Sequence, residues 1–233
     1  MDTTRIEFIS SYCDRWCERC AYTARCAAFA CHVAVAMCGD VAEGYELAVG
    51  APHPVDGEPP GGEDLPFDLP DISAEDIAEF EQREAARAAR IQASPLIQAS
   101  AAYAICAHRW LADHQPRLAL VGDPLLVEAL DVVMYDAAFI GAKLHRALSG
   151  RERHEDEEND DVHPVQNDWN GSAKVALISI ERSETAWRVI AQASGAATAA
   201  SLAGALADLE WLVRAEFPHA DAFVRPGFDE PWR

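Results

Sequence analysis

Six of the seven cysteines in this chain fall between Cys13 and Cys38, and four of them, Cys13, Cys17, Cys20 and Cys26, are separated by three, two and five residues. Thiols at that spacing can converge on one inorganic centre, because the backbone needs only one or two turns to bring them together. Thiolates are soft ligands that suit iron–sulfur clusters, zinc and copper(I). These four residues are the candidate metal and cofactor ligands. No side chain in the chain is assigned a catalytic role.

The expected centre is a [4Fe-4S] cluster, which takes four thiolates and needs an apolar shell that Trp16, Tyr22 and Phe29 can supply. The run Cys17-x2-Cys20-x5-Cys26 resembles the close of the cluster loop in endonuclease III-like DNA glycosylases, over those three cysteines and no further. Cys13-x3-Cys17-x2-Cys20 resembles the three-cysteine motif of radical S-adenosylmethionine enzymes, but Arg19 stands where that family usually has an aromatic residue. A structural four-cysteine zinc site in a non-catalytic helical interaction module is the alternative, although only Cys17-x2-Cys20 has the paired form common in zinc knuckles. A Cu(I)-binding thiol buffer is the third reading. It resembles the thiol-lined bundles of copper storage proteins, yet here only Cys106 lies outside the first segment.

Two geometries can present the thiols. Thr3 and Thr4 can cap a first helix carrying Ile6, Phe8, Ile9 and Tyr12, and the i, i+4, i+7 spacing of Cys13, Cys17 and Cys20 puts them on one face if it continues. A break near Tyr22–Thr23, with Thr23 capping a new helix from Ala24, swings Cys26 in to complete the site. The break is preferred. Cys31, Cys38 and Cys106 read as small core residues.

The rest of the chain predicts helices that pack around this segment. Residues 1–38 form the cysteine-rich metal-binding segment, and 39–71, with six Gly and six Pro, a long loop. Ser73 starts a helix running to about Ala93. Ser94-Pro95 starts a second that Pro116 stops, and Asp123-Pro124 a third that Gly150 ends. An acidic loop spans 151–170, with seven Asp or Glu among the ten residues from Glu152 to Asp161. Asp168 or Ser172 caps the next helix, which ends before Gly195, and a last one runs from about Thr198 to Phe217. The helical bundle thus covers 72–217 and an irregular tail 218–233. Without sustained period-two alternation, the fold class is all-α, a bundle of five to seven helices.

A second, polar site is conceivable where Glu128 and Tyr135 meet Lys174 or Glu181, if the mixed face of the third helix is buried. The competing reading is a solvated face. The histidines show no Glu-x-x-His pairs on two helices, so a di-iron carboxylate site is not expected.

Charge bounds the partners. With 39 Asp plus Glu against 19 Lys plus Arg, the formal net charge is -20, which repels nucleic-acid phosphates and anionic membranes. Neither is an expected partner; a redox or other protein partner is, and homo-oligomerisation stays open. No basic region precedes an apolar core and cleavage site, and crowded thiols without export signals favour metal ligation in a reducing compartment, so the expectation is a soluble cytoplasmic protein. Hydrolase, nucleotide-binding and zinc-protease motifs are missing, which leaves enzymatic activity undecided.

Overall fold

The computed structural model describes residues 5–50, 73–157 and 162–229. Seven α-helices and no strands occur among them: α1 Ala27–Cys38, α2 Val41–Val49, α3 Ala74–Ala93, α4 Pro95–Ala119, α5 Pro124–Glu157, α6 Asp168–Ser194 and α7 Ala197–Glu216. The all-helical expectation holds. No described helix is long and apolar enough to cross a membrane. The chain divides into two compact units, residues 1–84 with 226–233, and residues 85–225.

The first unit contains the cysteines. The expected first helix is absent: Ile9–Ser11 makes only a single 3-10 turn, and the capping Thr3 and Thr4 lie outside the described residues. Two further 3-10 turns, Cys17–Arg19 and Thr23–Arg25, lead to α1. Asp40 then caps α2 by accepting from the Glu43 N–H at 2.9 Å, so the segment read as loop from residue 39 begins with a helix; residues 51–72 lie outside the described chain. α1 and α2 cross closely at Gly44, where an added Cβ would stand 2.6 Å from the Val35 Cα and N. Neither backbone atom can rotate away. Gly44→Ala should therefore cost about 1–3 kcal/mol, the usual range for overpacking, and lower the thermal midpoint of the first unit.

Ser73 opens α3 as expected. Its hydroxyl accepts from the Asp76 N–H at 3.1 Å while Asp76 accepts from the Ser73 N–H at 2.9 Å, a reciprocal capping box with Asp in place of Glu.

In the second unit α4, α5, α6 and α7 form a four-helix ring in which each helix packs on two others. Four residues join α4 to α5 and two join α6 to α7, lengths that make successive helices antiparallel. Every third or fourth residue of α5 points inward: Leu126, Leu130, Val133, Ala137, Ile140 and Leu144 are almost wholly buried, as are Ile180, Trp187 and Ile190 of α6 and Leu206, Leu209 and Val213 of α7. That apolar stripe is the pattern read from the sequence.

Three boundaries differ from expectation. α4 passes through Pro116 to Ala119; so close to a helix end, a proline removes one backbone hydrogen bond without breaking the packed part. α5 continues through Gly150 to Glu157, so the first seven residues of the expected acidic loop are helical. Packing outweighs a glycine worth about 1 kcal/mol: Arg151 reaches the Glu216 carbonyl oxygen at 3.2 Å, and Arg90 pairs with Glu152 at 2.7 Å. α6 is capped by Asn167, which accepts from the Asn170 N–H at 2.9 Å, and not by Asp168 or Ser172. Asp168 instead pairs with Arg146 at 2.5 Å.

Candidate functional site

Cys13, Cys17, Cys20 and Cys26 line one small cavity, together with Ile9, Trp16, Phe29 and Phe228. No long helix presents them. The backbone turns at Arg15, where φ is +58°, in the left-handed region that non-glycine residues seldom occupy, and the Asp14 carboxylate holds that turn by accepting from the Trp16 N–H at 3.1 Å. The Cys17–Arg19 turn then separates Cys17 from Cys20. The break near Thr23 exists, but its residue roles differ: Thr23 opens a 3-10 turn, and the Cys26 side chain itself caps α1, accepting from the Phe29 N–H at 3.4 Å. A thiol stands here in place of the hydroxyl expected from Thr23.

The thiols sense one another. Burial pushes the Cys17 thiol above its ordinary range, and the neighbouring Cys13, Cys20 and Cys26, with Glu18, push it the same way. Cys20 accepts from the Tyr22 N–H at 3.4 Å, and Cys13 donates to the Ser10 carbonyl at 3.5 Å. Among the described residues no three His, Cys, Asp or Glu side chains are spaced to hold a single metal ion.

Comparison with protein families, with curated proteins and with solved structures finds no match.

Of the expected shell, Trp16 and Phe29 line the cavity, while Tyr22 packs edge-on against Phe228 at 4.9 Å. Phe228 comes from the far end of the chain, a partner that local spacing cannot reveal. It is set by Gly227, at φ +76°, where a Cβ would fall 2.9 Å from the Ile6 Cδ1. Arg19 lies over the Trp16 ring at 3.8 Å, and Arg15 lines the cavity. Cys31 is buried as expected, Cys38 is half-buried, and Cys106 is exposed on α4, contrary to its reading as a core residue.

The residues of the second expected site fall in two groups. Glu128 and Glu181 line one groove between α5 and α6, with Arg182. Lys174 instead donates to the Asp221 and Phe223 carbonyls at 3.2 and 2.5 Å, holding the segment after α7, and Tyr135 packs on Phe139 with ring centroids 5.8 Å apart. Lys174 reaches those carbonyls because Pro218 turns the chain back over α6.

The buried polar centre of the second unit is built on Asp136 and Arg182. Asp136, fully buried, accepts two hydrogen bonds from Arg182 at 2.9 and 2.6 Å and one from the Ser183 hydroxyl at 3.0 Å. Beside it Trp187 donates to the Tyr103 hydroxyl at 3.0 Å. The signal was available: Asp136 follows Val133 by three residues and precedes Ile140 by four, a charge on the core stripe.

Burial, helped by the Asp136 charge and opposed by hydrogen bonds from Trp187 and Ser183, pushes the Tyr103 hydroxyl up to about 12. The unfolded phenol ionises near about 10. The folded state thus holds the proton longer, so its stability is intact below pH about 10 and falls by about 2–3 kcal/mol as pH rises to about 12. Urea midpoints across that range should show the fall in the wild type and lack it in Tyr103→Phe.

Proposed function

We propose that the first unit holds a [4Fe-4S] cluster through Cys13, Cys17, Cys20 and Cys26 and serves in electron transfer or another redox role. The observation that carries this reading is the convergence of four thiols on one cavity walled by Ile9, Trp16, Phe29 and Phe228. The sequence spacing favours a cluster over zinc, since only Cys17-x2-Cys20 has the paired form common in zinc knuckles. The backbone N–H groups of Tyr22 and Phe29, aimed at Cys20 and Cys26, belong to the class of contact that tunes cluster potential. When bound, the cluster supplies one-electron chemistry; the chain supplies the ligands, the N–H donors and the apolar wall. None of the seven cysteines is in a disulfide, which suits a reducing compartment such as the cytoplasm.

Anaerobic purification tests the reading. The full chain should be brown, absorb at about 400 nm, and contain about four iron and four sulfide per chain. Cys20→Ser should lose the colour, and the triple variant Cys31→Ser, Cys38→Ser, Cys106→Ser should keep it. A colourless protein with one zinc per chain would overturn the proposal in favour of a structural site. Several Cu(I) ions per chain would overturn it in favour of a thiol buffer.

A further inference from the structure

The second unit carries a groove of about 700 Å³ between α4 and α7, a volume within the range of about 300–1,000 Å³ usual for small-molecule sites. Its depth follows from side-chain size. Ala99 and Ala102 of α4 face Ala205 of α7, so the two helices leave room where larger residues would meet. The floor is aromatic, made of the buried Tyr103 and Trp110. Both rings are held before any ligand arrives: Tyr103 accepts from the Trp187 Nε1 at 3.0 Å, and Trp110 donates to Thr198 at 3.0 Å and stacks on His114 with centroids 4.4 Å apart. A pre-formed floor of this kind costs a ligand little ordering.

The charged side chains then decide what fits. Two carboxylates, Asp113 and Asp208, line the groove against one guanidinium, Arg109. The Trp110–Thr198 bond sets the register of the antiparallel helices, which puts Arg109 and Asp113 together at the end where α7 begins. One helical turn apart on α4, they offset each other there. Asp208 follows Thr198 by ten residues, so at about 1.5 Å per residue it lies about 15 Å away, at the opposite end beside Ala99. It makes no ion pair among the described residues, and the one arginine of the groove is at the far end. An exposed carboxylate by itself is only a solvated acid. Set at the end of an apolar trough, in a chain of net charge -20, it gives the ligand a direction, because low-dielectric walls focus the negative field and raise the local concentration of cations.

We propose that this groove binds an amphipathic alkylammonium cation, its ammonium at Asp208 and its apolar body along Ala99, Ala102 and Ala205 over the Tyr103 ring. The site is separate from the cysteine cavity and does not depend on what that cavity holds.

Decylamine is the probe, since its amine is protonated at pH 7 as a lysine is, with decanol as its neutral counterpart and decanoate as that of opposite charge. Equilibrium dialysis and tryptophan emission on the full chain follow the binding. Decylamine should bind once per chain, more tightly than decanol, and decanoate most weakly of the three. Asp208→Asn should weaken decylamine about threefold to fivefold, the worth of an exposed ion pair, and Asp113→Asn should weaken it less; Arg109→Gln should not weaken it at all. Ala205→Trp should abolish binding by filling the groove, with helical circular dichroism unchanged; should that variant misfold, Ala102→Leu blocks the same space with less bulk. No decylamine binding, equal or tighter binding of decanoate, an unmoved affinity in Asp208→Asn, or unchanged binding in the filled variant would each overturn the proposal. So would a wild-type dimer that Ala205→Trp splits, since a second copy would then occupy the groove.

Discussion

Asp136→Ala should lower the stability of the four-helix unit by about 3 kcal/mol, read as a drop in urea midpoint with the slope unchanged. Removing one member of a buried ion pair costs about 3–5 kcal/mol because the other charge is left without its partner. The lower end applies here, since the Arg182 side chain is 28% exposed and can take water on its outer edge, whereas Asp136 is at 0%. Two hydrogen bonds from Arg182 and one from Ser183 go with the carboxylate. The pair itself is another matter. Replacing both partners by leucine removes the desolvation cost along with the attraction, so Asp136→Leu with Arg182→Leu should sit within about 1 kcal/mol of wild type, as such exchanges often do.

A second readout separates this from simple loss of packing. The Asp136 charge is one of the causes that raise the Tyr103 hydroxyl, so in Asp136→Ala an ultraviolet titration should find Tyr103 ionising at lower pH. A variant that loses less than about 1 kcal/mol, or leaves that titration unmoved, would show that Arg182 and Tyr103 are held by something other than the carboxylate.

The helix starts were legible because their chemistry is local. Ser94-Pro95 opens α4 and Ser73 opens α3, as the residues imply. The stops were less so. Gly150 and Pro116 are weak terminators when a helix is already packed, and what carries α5 onward to Glu157 is the grip of Arg151 on Glu216, 65 residues away. α2 was hidden in a Gly- and Pro-rich stretch, although Asp40 carries the cap signal and Gly44 is needed for contact with α1 and not for a turn. At the cysteines, spacing identified the residues that share a cavity but mistook their backbone. Three 3-10 turns and a left-handed Arg15 do the positioning, and periodicity cannot encode a segment with no regular period. Phe228 and Ile9 join the wall only through tertiary folding.

On the cluster reading, removing the metal should unfold the first unit and leave the second standing. In the described part of the first unit the buried apolar side chains are Ile9, Cys31 and Ala34, and Met37, Val41, Tyr45 and Leu47 are more than half exposed. Full burial of a large aliphatic side chain contributes about 1.5–3 kcal/mol, while ordering each residue costs about 1–2 kcal/mol. So thin a core cannot hold this segment by hydrophobic burial alone, whereas metal–thiolate binding can contribute about 10 kcal/mol or more. Chelation under oxidising conditions should therefore abolish an early, separate unfolding transition seen by circular dichroism, with the later transition of the α4–α7 ring unmoved. Acidity should act through the same thiols. The loaded unit needs thiolates, so protons compete with metal and its early transition should move to lower temperature as pH falls; a transition unmoved by pH would mean that the thiols do not ligate.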